Sequence, residues 1–181
     1  MSGLLIAAPA SGSGKTTVTL GLLRAFKRLG ITMSVGKAGP DYIDPAFHSF
    51  ASGTQCLNFD PWAMRPDFLQ AQGEQGGTVD SYQVIEAMMG VFDGAGNGQG
   101  SAADLAVLLD LNVVLVIDCS RMSHSIAALV HGFSTYRPDM KFRGVILNKV
   151  GSDRHETMLR EALAGSSLPV LGVLPSDPAL A

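Results

Sequence analysis

The stretch PASGSGKTT, from Pro9 to Thr17, lies between a short apolar run and a segment with helical periodicity. A strand, a glycine-rich loop and a helix in this order form the context in which the pattern G-x-x-x-x-G-K-[ST] binds phosphate. Pro9 stands where that pattern has its first glycine. Because proline fixes one backbone angle and leaves the N–H groups farther along the loop free, we expect this departure to be tolerated.

Each part of this loop suits a phosphate. The glycines allow successive N–H groups to point at phosphate oxygens, Lys15 supplies a cation, and Thr16 supplies a hydroxyl for magnesium. The following helix adds the partial positive charge of its N-terminus. The predicted nucleotide-binding residues in the loop are Ser11, Gly12, Ser13, Gly14, Lys15, Thr16 and Thr17.

Apolar runs alternate with helical segments along all 181 residues. This pattern is typical of a parallel sheet covered on both faces, so we expect a one-domain α/β fold with a mostly parallel sheet and helices on both faces. The predicted strands are Leu4–Pro9, Met33–Gly39, Tyr82–Phe92, Val113–Ser120, Phe142–Val150 and Leu168–Pro175. The predicted helices are Lys15–Leu29, Arg121–Tyr136 and Ser152–Ala164, with an ordered loop over 40–50 and a mobile glycine-rich loop over 93–104.

The composition narrows the function classes. The net charge is −3 and no run of Lys or Arg is long enough to follow a polyanion, which disfavours nucleic acid and anionic membranes as partners. Neither end carries a targeting stretch, so we expect a cytoplasmic protein. Cys56 and Cys119 match no metal-binding or catalytic spacing and are predicted to be structural. No metal-binding pattern is formed by the histidines His48, His124, His131 and His155.

Acidic residues follow or lie within several predicted strands. Magnesium prefers carboxylates, hydroxyls and water, and ligands in open α/β sheets bind at the carboxyl ends of the strands. The candidate magnesium ligands beside Thr16 are Asp41, Asp44, Glu86 and Asp118. Structural roles stay open, because Asp44 can cap or turn the chain, Asp118 can cap a helix and Glu86 can pair with a buried cation. Lys37 is a further candidate to bind phosphate or carboxylate.

Several segments resemble the cobyrinic acid a,c-diamide synthase family, in particular the form that acts on metal-free hydrogenobyrinic acid. The resemblance covers essentially the whole chain and is carried by APASGSGKTT, KAGPDYIDPAFH, EAMMGVFDG, VVLVIDCSRMSHSIAALVHGF, GVILNKVGSDRH and VLGVLP. It implies the N-terminal ATP-binding domain of such an enzyme, with the P-loop fold of dethiobiotin synthetase. It also implies ATP-dependent amidation of the a and c carboxylates of the corrin through acyl phosphates, with ATP and Mg²⁺ as cofactors.

The resemblance also assigns roles to single residues. Lys15, Lys37, Asp41, Asp44 and Glu86 would be catalytic. Magnesium would be held by Thr16 and Glu86 with one of Asp41 or Asp44, and Asp118 is a further candidate ligand. Asn148 would face the adenine, and the corrinoid side of the site would be lined by Tyr42, Asp41, Asp44 and His48.

The family pairs this domain with a C-terminal glutaminase domain that supplies ammonia, and no segment of 1–181 resembles that domain. We therefore expect a fragment or a split subunit, with the predicted helix Arg121–Tyr136 available to pack on the glutaminase domain or on a second copy in a homodimer.

Other functions share the loop. Dethiobiotin synthetase is a stand-alone domain of this architecture, but the acidic segment KAGPDYIDP argues against it, and cobyric acid synthase would have an asparagine-rich segment at this point. A partition-type or metal-chaperone ATPase would use the nucleotide as a conformational switch. The sequence lacks the signature lysine of partition ATPases just after the first strand and lacks a Cys or His cluster for a metal cargo.

Overall fold

The computed structural model describes residues 3–76 and 81–180, which form an α/β domain around one seven-stranded parallel sheet. The strands are β1 Gly3–Ala7, β2 Met33–Ala38, β3 Cys56–Phe59, β4 Tyr82–Glu86, β5 Asn112–Asp118, β6 Lys141–Val150 and β7 Val170–Pro175. The helices are α1 Lys15–Arg28, α2 Asp44–Ser52, α3 Pro66–Gly76, α4 Ala102–Leu108, α5 Ile126–Tyr136 and α6 Asp153–Ala162, followed by a 3₁₀ turn, Pro178–Leu180. Every neighbouring pair is parallel, and the strand order is β3-β2-β4-β1-β5-β6-β7.

Helices cover both faces of the sheet, which confirms the predicted fold class. Successive side chains of a strand point to opposite faces, so the neighbours Leu5 and Ile6 enter different halves of the core. Leu5 packs in the larger half with residues of α3, α4, α5 and α6. Ile6 packs in the smaller half with residues of α1 and α2. β1 therefore lies at the centre of the molecule and fixes where the following loop emerges.

The segment 40–50, predicted to be a loop, contains the start of helix α2. The prediction is wrong because proline, which breaks a helix in its interior, is well tolerated in the first turn, where Pro45 lies. Asp44 begins the helix and places a carboxylate in its first turn, where the helix dipole is favourable. Gly53 ends the helix with a φ of 79°. This helix carries Asp44 and His48 towards the end of β4.

Strand β4 is shorter than predicted, because the chain leaves the sheet after Glu86 instead of continuing to Phe92. The residues that follow cross over the end of β1, where the N–H of Val91 donates to the carbonyl of Ala8 at 2.9 Å. Gly90 permits this crossing, since a Cβ at that position would lie 2.5 Å from the carbonyl oxygen of Pro9. The segment 82–92, predicted as one apolar strand, therefore forms a short strand followed by a strap, residues 87–92, that crosses the loop after β1.

Other boundaries also differ from the predictions. Three elements were not predicted, namely β3, α3 and α4, and α4 begins inside the predicted glycine-rich loop. Ser101 and Asp104 form a capping box that starts α4, a signal present in the sequence SAAD. Helix α5 begins at Ile126 and not at Arg121. Strand β7 is an edge strand, and none of its residues is fully buried.

The two cysteines are buried and unpaired, in agreement with a structural role. Burial raises the pKa of Cys56 to about 12 and that of Cys119 to about 11, so neither thiol is activated as a nucleophile. Within the part of the chain that the structure describes, no helix has both the length and the apolar character needed to cross a bilayer.

Candidate nucleotide-binding site

The glycine-rich loop connects β1 to α1 and has the conformation expected of a phosphate-binding loop. Gly12 and Gly14 adopt φ angles of 79° and 89°, in the left-handed region that favours glycine. At Gly14 a Cβ would also lie only 2.2 Å from the side-chain nitrogen of Asn148. Pro9 lies outside the tightly turned part of the loop, so the missing first glycine does not disturb the turns at Gly12 and Gly14.

Strand β6 holds this loop from one side. Asn148 Nδ2 donates a hydrogen bond to the carbonyl of Ser13 at 3.0 Å, and Lys149 Nζ donates one to the carbonyl of Gly12 at 3.0 Å. The predicted adenine-facing residue Asn148 therefore lies at the loop, with its amide nitrogen already engaged there. The Ser13 hydroxyl donates back to the carbonyl of Ala10 at 2.8 Å, which tightens the same turn.

Lys15 begins helix α1 and is largely buried. Its ammonium group donates to the carbonyl of Met89 at 2.6 Å, which connects the loop to the strap after β4. Met89 has a φ of 51°, a left-handed conformation that is strained for a residue with a side chain. Burial lowers the pKa of Lys15, while the carboxylate of Glu86 opposes that change.

A cluster of charged side chains lies at the carboxyl ends of β2 and β4, beside the loop. Thr16 Oγ1 is 2.7 Å from Glu86 Oε1 and 3.4 Å from Asp44 Oδ2. Lys37 Nζ lies 2.6 Å from Asp44 Oδ2 and 2.9 Å from Glu86 Oε1. The structure thus brings Thr16 of α1 and Asp44 of α2 together with Lys37 and Glu86, which lie at the ends of the neighbouring strands β2 and β4.

The charges in this cluster determine one another's ionisation. Burial alone would raise the pKa of Glu86, but the contacts with His48, Lys37 and Thr16 outweigh it and lower the pKa to about 2. Burial alone would lower the pKa of Lys37, but the carboxylates of Glu86 and Asp44 outweigh it and raise the pKa. Both groups therefore stay charged near neutral pH although both are almost completely buried.

Asp41 and Tyr42 occupy the turn before α2. Asp41 Oδ1 accepts hydrogen bonds from the N–H groups of Ile43 and Asp44 at 2.9 and 3.0 Å, so it organises the start of the helix. Its other oxygen is 3.7 Å from Lys37 Nζ. These backbone N–H groups and Lys37 outweigh its partial burial and lower the pKa of Asp41. Tyr42 is 88% exposed and does not line the cavity described below.

His48, expected on the corrinoid side of the site, lies behind Glu86 and is fully buried. Its Nε2 is 2.7 Å from Glu86 Oε2, a direct contact without the alignment of a hydrogen bond. Its Nδ1 faces the sulfur of Cys56 at 3.9 Å. His48 is therefore placed to orient a carboxylate and not to touch a ligand from solvent.

The structure does not bring Asp118 into the charged cluster. One oxygen of Asp118 accepts from Lys149 Nζ at 2.7 Å, and the other accepts from the backbone N–H and hydroxyl of Ser120 at 2.9 and 2.6 Å. These contacts outweigh its partial burial and lower the pKa of Asp118. These contacts lie in the turn after β5, so Asp118 does not cap a helix, the structural alternative considered for it, since α5 begins only at Ile126.

A cavity of about 820 Å³ connects the loop to the charged cluster. The predicted site residues in its walls are Ser11, Gly12, Gly14, Lys15, Thr16, Thr17, Lys37, Asp41, Asp44, Glu86 and Asn148. Sequence reasoning missed the other wall residues, which include Met88, Met89, Lys149 and the segment 174–177. The position of 174–177 at the carboxyl end of β7 was a usable signal, since ligands of open α/β sheets lie beyond the carboxyl ends of the strands.

A parallel sheet with this loop between its central strand and the next helix defines a P-loop nucleotide-binding domain. The match to known families agrees and is more specific. Residues 4–181 match the family described as the CobQ/CobB/MinD/ParA nucleotide binding domain, and the chain belongs to that family.

Curated relatives extend this match over nearly the whole chain. It is 62% identical over 180 residues to the hydrogenobyrinate a,c-diamide synthase of Rhizobium meliloti (strain 1021), covering 99% of this chain and 42% of the relative. It is 65% identical over 184 residues to the enzyme of the same name from Brucella ovis, again covering 99% and 42%. The chain thus spans about 42% of the length of these relatives.

Solved structures of similar shape have low sequence identity and show the fold alone. Chloroplast FtsY from Physcomitrella patens superposes with a TM-score of 0.65 at 18% identity, covering 95% of this chain and 58% of FtsY. FlhF in complex with GMPPNP and Mg²⁺ superposes with a TM-score of 0.64 at 14% identity, covering 93% of this chain and 64% of FlhF. Both comparisons agree with the P-loop fold predicted from the sequence.

Proposed function

We propose that residues 1–181 form the ATP-binding amidoligase domain of a hydrogenobyrinate a,c-diamide synthase. The observation that carries the proposal is the position of Lys37, a second buried lysine held beside Glu86 and Asp44 in the same cavity as the phosphate loop. Lys15 suits the phosphates of a nucleotide, and Lys37 supplies a separate cation for a carboxylate that approaches them. The names of the relatives supply the substrate class, a corrin that carries carboxylates.

The cavity suggests how ATP lies. The phosphates fit against the loop residues 11–17 and the N-terminus of α1, where backbone N–H groups and Lys15 supply positive charge. Asn148 and the segment 174–177 line the same cavity at the ends of β6 and β7, and we place the adenine there. The γ-phosphate then points towards Thr16, Glu86 and Lys37.

The charged cluster also suits Mg²⁺. Magnesium is usually bound by one or two carboxylates together with substrate phosphates and water, so it does not need a complete protein cage. Among residues 3–76 and 81–180, no group of three or more His, Cys, Asp or Glu side chains is arranged to hold a metal by itself. The candidate ligands are Thr16 Oγ1, Glu86 and Asp44, with Asp41 next to them. When bound, Mg²⁺ would neutralise charge on the transferring phosphoryl group.

The chemistry begins with a carboxylate of the corrinoid. One of its oxygens attacks the γ-phosphorus, the bond from that phosphorus to the β–γ bridging oxygen breaks, and ADP leaves. Ammonia then attacks the acyl carbon, the bond from carbon to the phosphate oxygen breaks, inorganic phosphate leaves, and the nitrogen releases a proton to water. Lys15 and Lys37 act electrostatically, because phosphoryl transfer depends mainly on positioning and charge stabilisation.

Lys37 must release part of its present contacts for this role. Its ammonium group has three donors and now faces three carboxylates, those of Asp41, Asp44 and Glu86. A cation ligated by Glu86 and Asp44 would take over part of that charge balance. Lys37 could then turn a donor to the substrate carboxylate and hold it beside the γ-phosphate.

Two partners belong to this proposal. The corrinoid would approach over the turn that contains Tyr42, whose exposed ring is suited to contact a macrocycle. Ammonia would come from a glutaminase domain outside 1–181, and free ammonium should replace it. A homodimer and a cytoplasmic location stay predictions.

Mass spectrometry of the product tests this function. The chain is incubated with hydrogenobyrinic acid, ATP, Mg²⁺ and ammonium, beside parallel reactions with cobyrinic acid and with the dethiobiotin precursor. We expect mono- and diamides of the metal-free corrinoid, and no product from the Lys37→Met variant. Lys141→Met is the control and should give normal product, because Lys141 lies at the start of β6, away from the cavity, and pairs with Asp110. Product from the dethiobiotin precursor alone would contradict the proposal, as would corrinoid-independent ATP hydrolysis without amide.

A further inference from the structure

Lys149 lies in the wall of the cavity and joins the phosphate loop to Asp118, a second strand-end carboxylate, but it has no part in the proposed phosphoryl transfer. It follows Asn148 near the end of β6 and has a φ of 58°. A lysine in the left-handed region is strained, and such strain persists where surrounding contacts hold the residue in place. The contacts that hold Lys149 are those with Gly12 and Asp118.

Two adjacent side chains of β6 hold two successive peptide units of the loop. Lys149 binds the carbonyl of Gly12, which belongs to the peptide unit that contains the N–H of Ser13. Asn148 binds the carbonyl of Ser13, which belongs to the unit that contains the N–H of Gly14. In a trans peptide the C=O and N–H bonds point in opposite directions. Holding both carbonyls towards β6 therefore turns both N–H groups away from β6.

This orientation is the one that anion binding requires. Phosphate-binding loops work because consecutive N–H groups point at the same anion, and a single rotated peptide unit would present a carbonyl oxygen to it instead. Gly12 and Gly14 are free to rotate because they lack a Cβ, so an external contact is needed to select one orientation. Lys149 supplies that contact for the first unit and Asn148 for the second.

Asp118 completes the arrangement at the end of the neighbouring strand. Its Oδ2 lies 2.7 Å from Lys149 Nζ, and Asp118 and Asn148 are paired across β5 and β6. Its Oδ1 is engaged by Ser120, which fixes the direction of the carboxylate. The lysine is thereby held between a carboxylate and a carbonyl. A strand-end acid that resembles a magnesium ligand in the sequence thus acts on the loop through a lysine.

We propose that Lys149, anchored by Asp118, is a positioning residue that orients the Gly12–Ser13 peptide unit for binding of the nucleotide β- and γ-phosphates. The proposal rests on the nucleotide site of the proposed function and adds two residues to it. It assigns Asp118 to the support of the loop and not to magnesium. Neither residue is catalytic, since neither needs to touch the reacting atoms.

The proposal predicts a dependence on phosphate number that other roles would not produce. If Lys149 orients the loop, its removal weakens the binding of ADP and ATP and leaves the affinity for AMP little changed, because AMP lacks the outer phosphates. If Lys149 contacted the base, the affinities for all three nucleotides would fall equally. If Asp118 bound magnesium, its removal would change affinity only when Mg²⁺ is present.

The experiment is a calorimetric titration of the chain with ADP and with AMP, each with Mg²⁺ and with EDTA. Lys149→Met should lower the affinity for ADP by roughly tenfold or more, which is the effect expected for loss of a charge-assisted hydrogen bond. The affinity for AMP should fall by far less. Lys149→Arg should restore most of the affinity for ADP. Lys141→Met is the matched control, a lysine on the same strand that pairs with Asp110 away from the loop, and should bind ADP as the wild type does. Thermal unfolding identifies variants that do not fold.

Asp118→Asn provides a second test that does not depend on Lys149 variants. It should weaken ADP to a similar degree with and without Mg²⁺. A loss confined to Mg²⁺ conditions would overturn the proposal in favour of a metal ligand. Equal losses for AMP and ADP, or no loss in folded Lys149→Met, would also overturn it. Absence of ADP binding by the wild type would instead reject the nucleotide site of the proposed function, and the inference with it.

Discussion

The ammonium of Lys37 lies 2.9 Å from Oε1 of Glu86, and both side chains are almost completely removed from water. The two residues are direct partners across the parallel strands β2 and β4. Desolvation of two charges is costly, and the attraction between them offsets that cost only while both are present. The pair is therefore a site where one substitution has a large effect on stability and a second substitution reverses part of it.

The first prediction concerns Lys37→Met. Removal of the cation leaves Glu86 buried beside Asp44 without its main partner, and we expect the free energy of unfolding to fall by about 3–5 kcal/mol. The double variant Lys37→Met with Glu86→Gln should recover a substantial part of that loss, because the almost completely buried side chain at position 86 no longer carries a charge and the remaining carboxylates Asp41 and Asp44 are partly exposed. Urea unfolding monitored by circular dichroism measures all three proteins.

The matched control for this measurement is Lys141→Met. Its lysine pairs with Asp110 at the surface, where both side chains are substantially exposed, so the change should stay within about 1 kcal/mol. Equal stability changes for the single and the double variants at positions 37 and 86 would show that the two charges do not depend on each other.

The second prediction concerns acid. The contacts of Glu86 lower its pKa from the ordinary value of 4.5 to about 2 in the folded protein. A carboxyl group with a depressed pKa stabilises the fold above its unfolded pKa, and this contribution disappears as the pH falls from 4.5 towards 2. The shift in pKa corresponds to roughly 3 kcal/mol in the free energy of unfolding. The Glu86→Gln variant should lack this part of the pH dependence.

Urea unfolding at a series of pH values between neutral and 2.5 tests this expectation. Glu156→Gln is the control, because Glu156 forms an exposed pair with Arg160 on one helix and should leave the acid profile nearly unchanged. If the Glu86→Gln protein is too unstable for the titration, the Lys37→Met and Glu86→Gln double variant replaces it. An acid profile identical to the wild type in the Glu86 variant would contradict the assigned ionisation.

The sequence allowed the fold class to be predicted because the apolar runs of the central strands are long and regular. β1 and β5 are buried on both faces of the sheet, and Leu5 and Val116, for example, are fully buried. Elements at the margin of the sheet were missed. β3 has only four residues, and α3 contains few apolar side chains, so neither has a period long enough to recognise. The start of α2 was missed because Pro45 suggests a loop, yet proline fits the first turn of a helix.

The site residues that could be predicted are those whose place in the site follows from their position along a strand. Lys37 and Glu86 end neighbouring strands, and a polar residue at such a point is placed near the loop by the topology alone. Side-chain direction was not predictable. Asp118 also ends a central strand, yet it pairs with Lys149, a residue 31 positions away whose left-handed backbone conformation left no mark in the sequence.

The third prediction concerns Gly14→Ala. Alanine at a φ of 89° is strained, and its Cβ would collide with the Asn148 amide that holds the loop. We expect a loss of at least about 1 kcal/mol in stability and a severe loss of ADP affinity, measured by urea unfolding and by calorimetry. Gly21→Ala is the control, since Gly21 lies within α1 with open space around it. That variant should bind ADP normally and gain about 0.5–1 kcal/mol. Normal ADP binding by Gly14→Ala would contradict the role of the turn.

The fourth prediction separates His48 from Tyr42, which the sequence placed together on the substrate side of the site. His48 is buried in contact with Glu86, whereas Tyr42 is exposed in the turn before α2. On the proposed amidation, His48→Gln should therefore raise the Mg²⁺ concentration needed for half-maximal activity and leave the KM for the corrinoid nearly unchanged. Tyr42→Ala should do the reverse, raising the KM for the corrinoid with an unchanged dependence on Mg²⁺.

Steady-state amidation with ammonium, varied separately in Mg²⁺ and in hydrogenobyrinic acid, distinguishes the two effects. Tyr82→Ala is the control, because Tyr82 is a half-exposed tyrosine at the start of β4, at the opposite end of the strand from Glu86, and it should alter neither parameter. An increase in the corrinoid KM for His48→Gln, with an unchanged requirement for Mg²⁺, would mean that the ring reaches the substrate in the working enzyme. The buried position of His48 behind Glu86 argues for the opposite result, since a group enclosed by Glu86 and Cys56 acts on the site through the carboxylate it contacts.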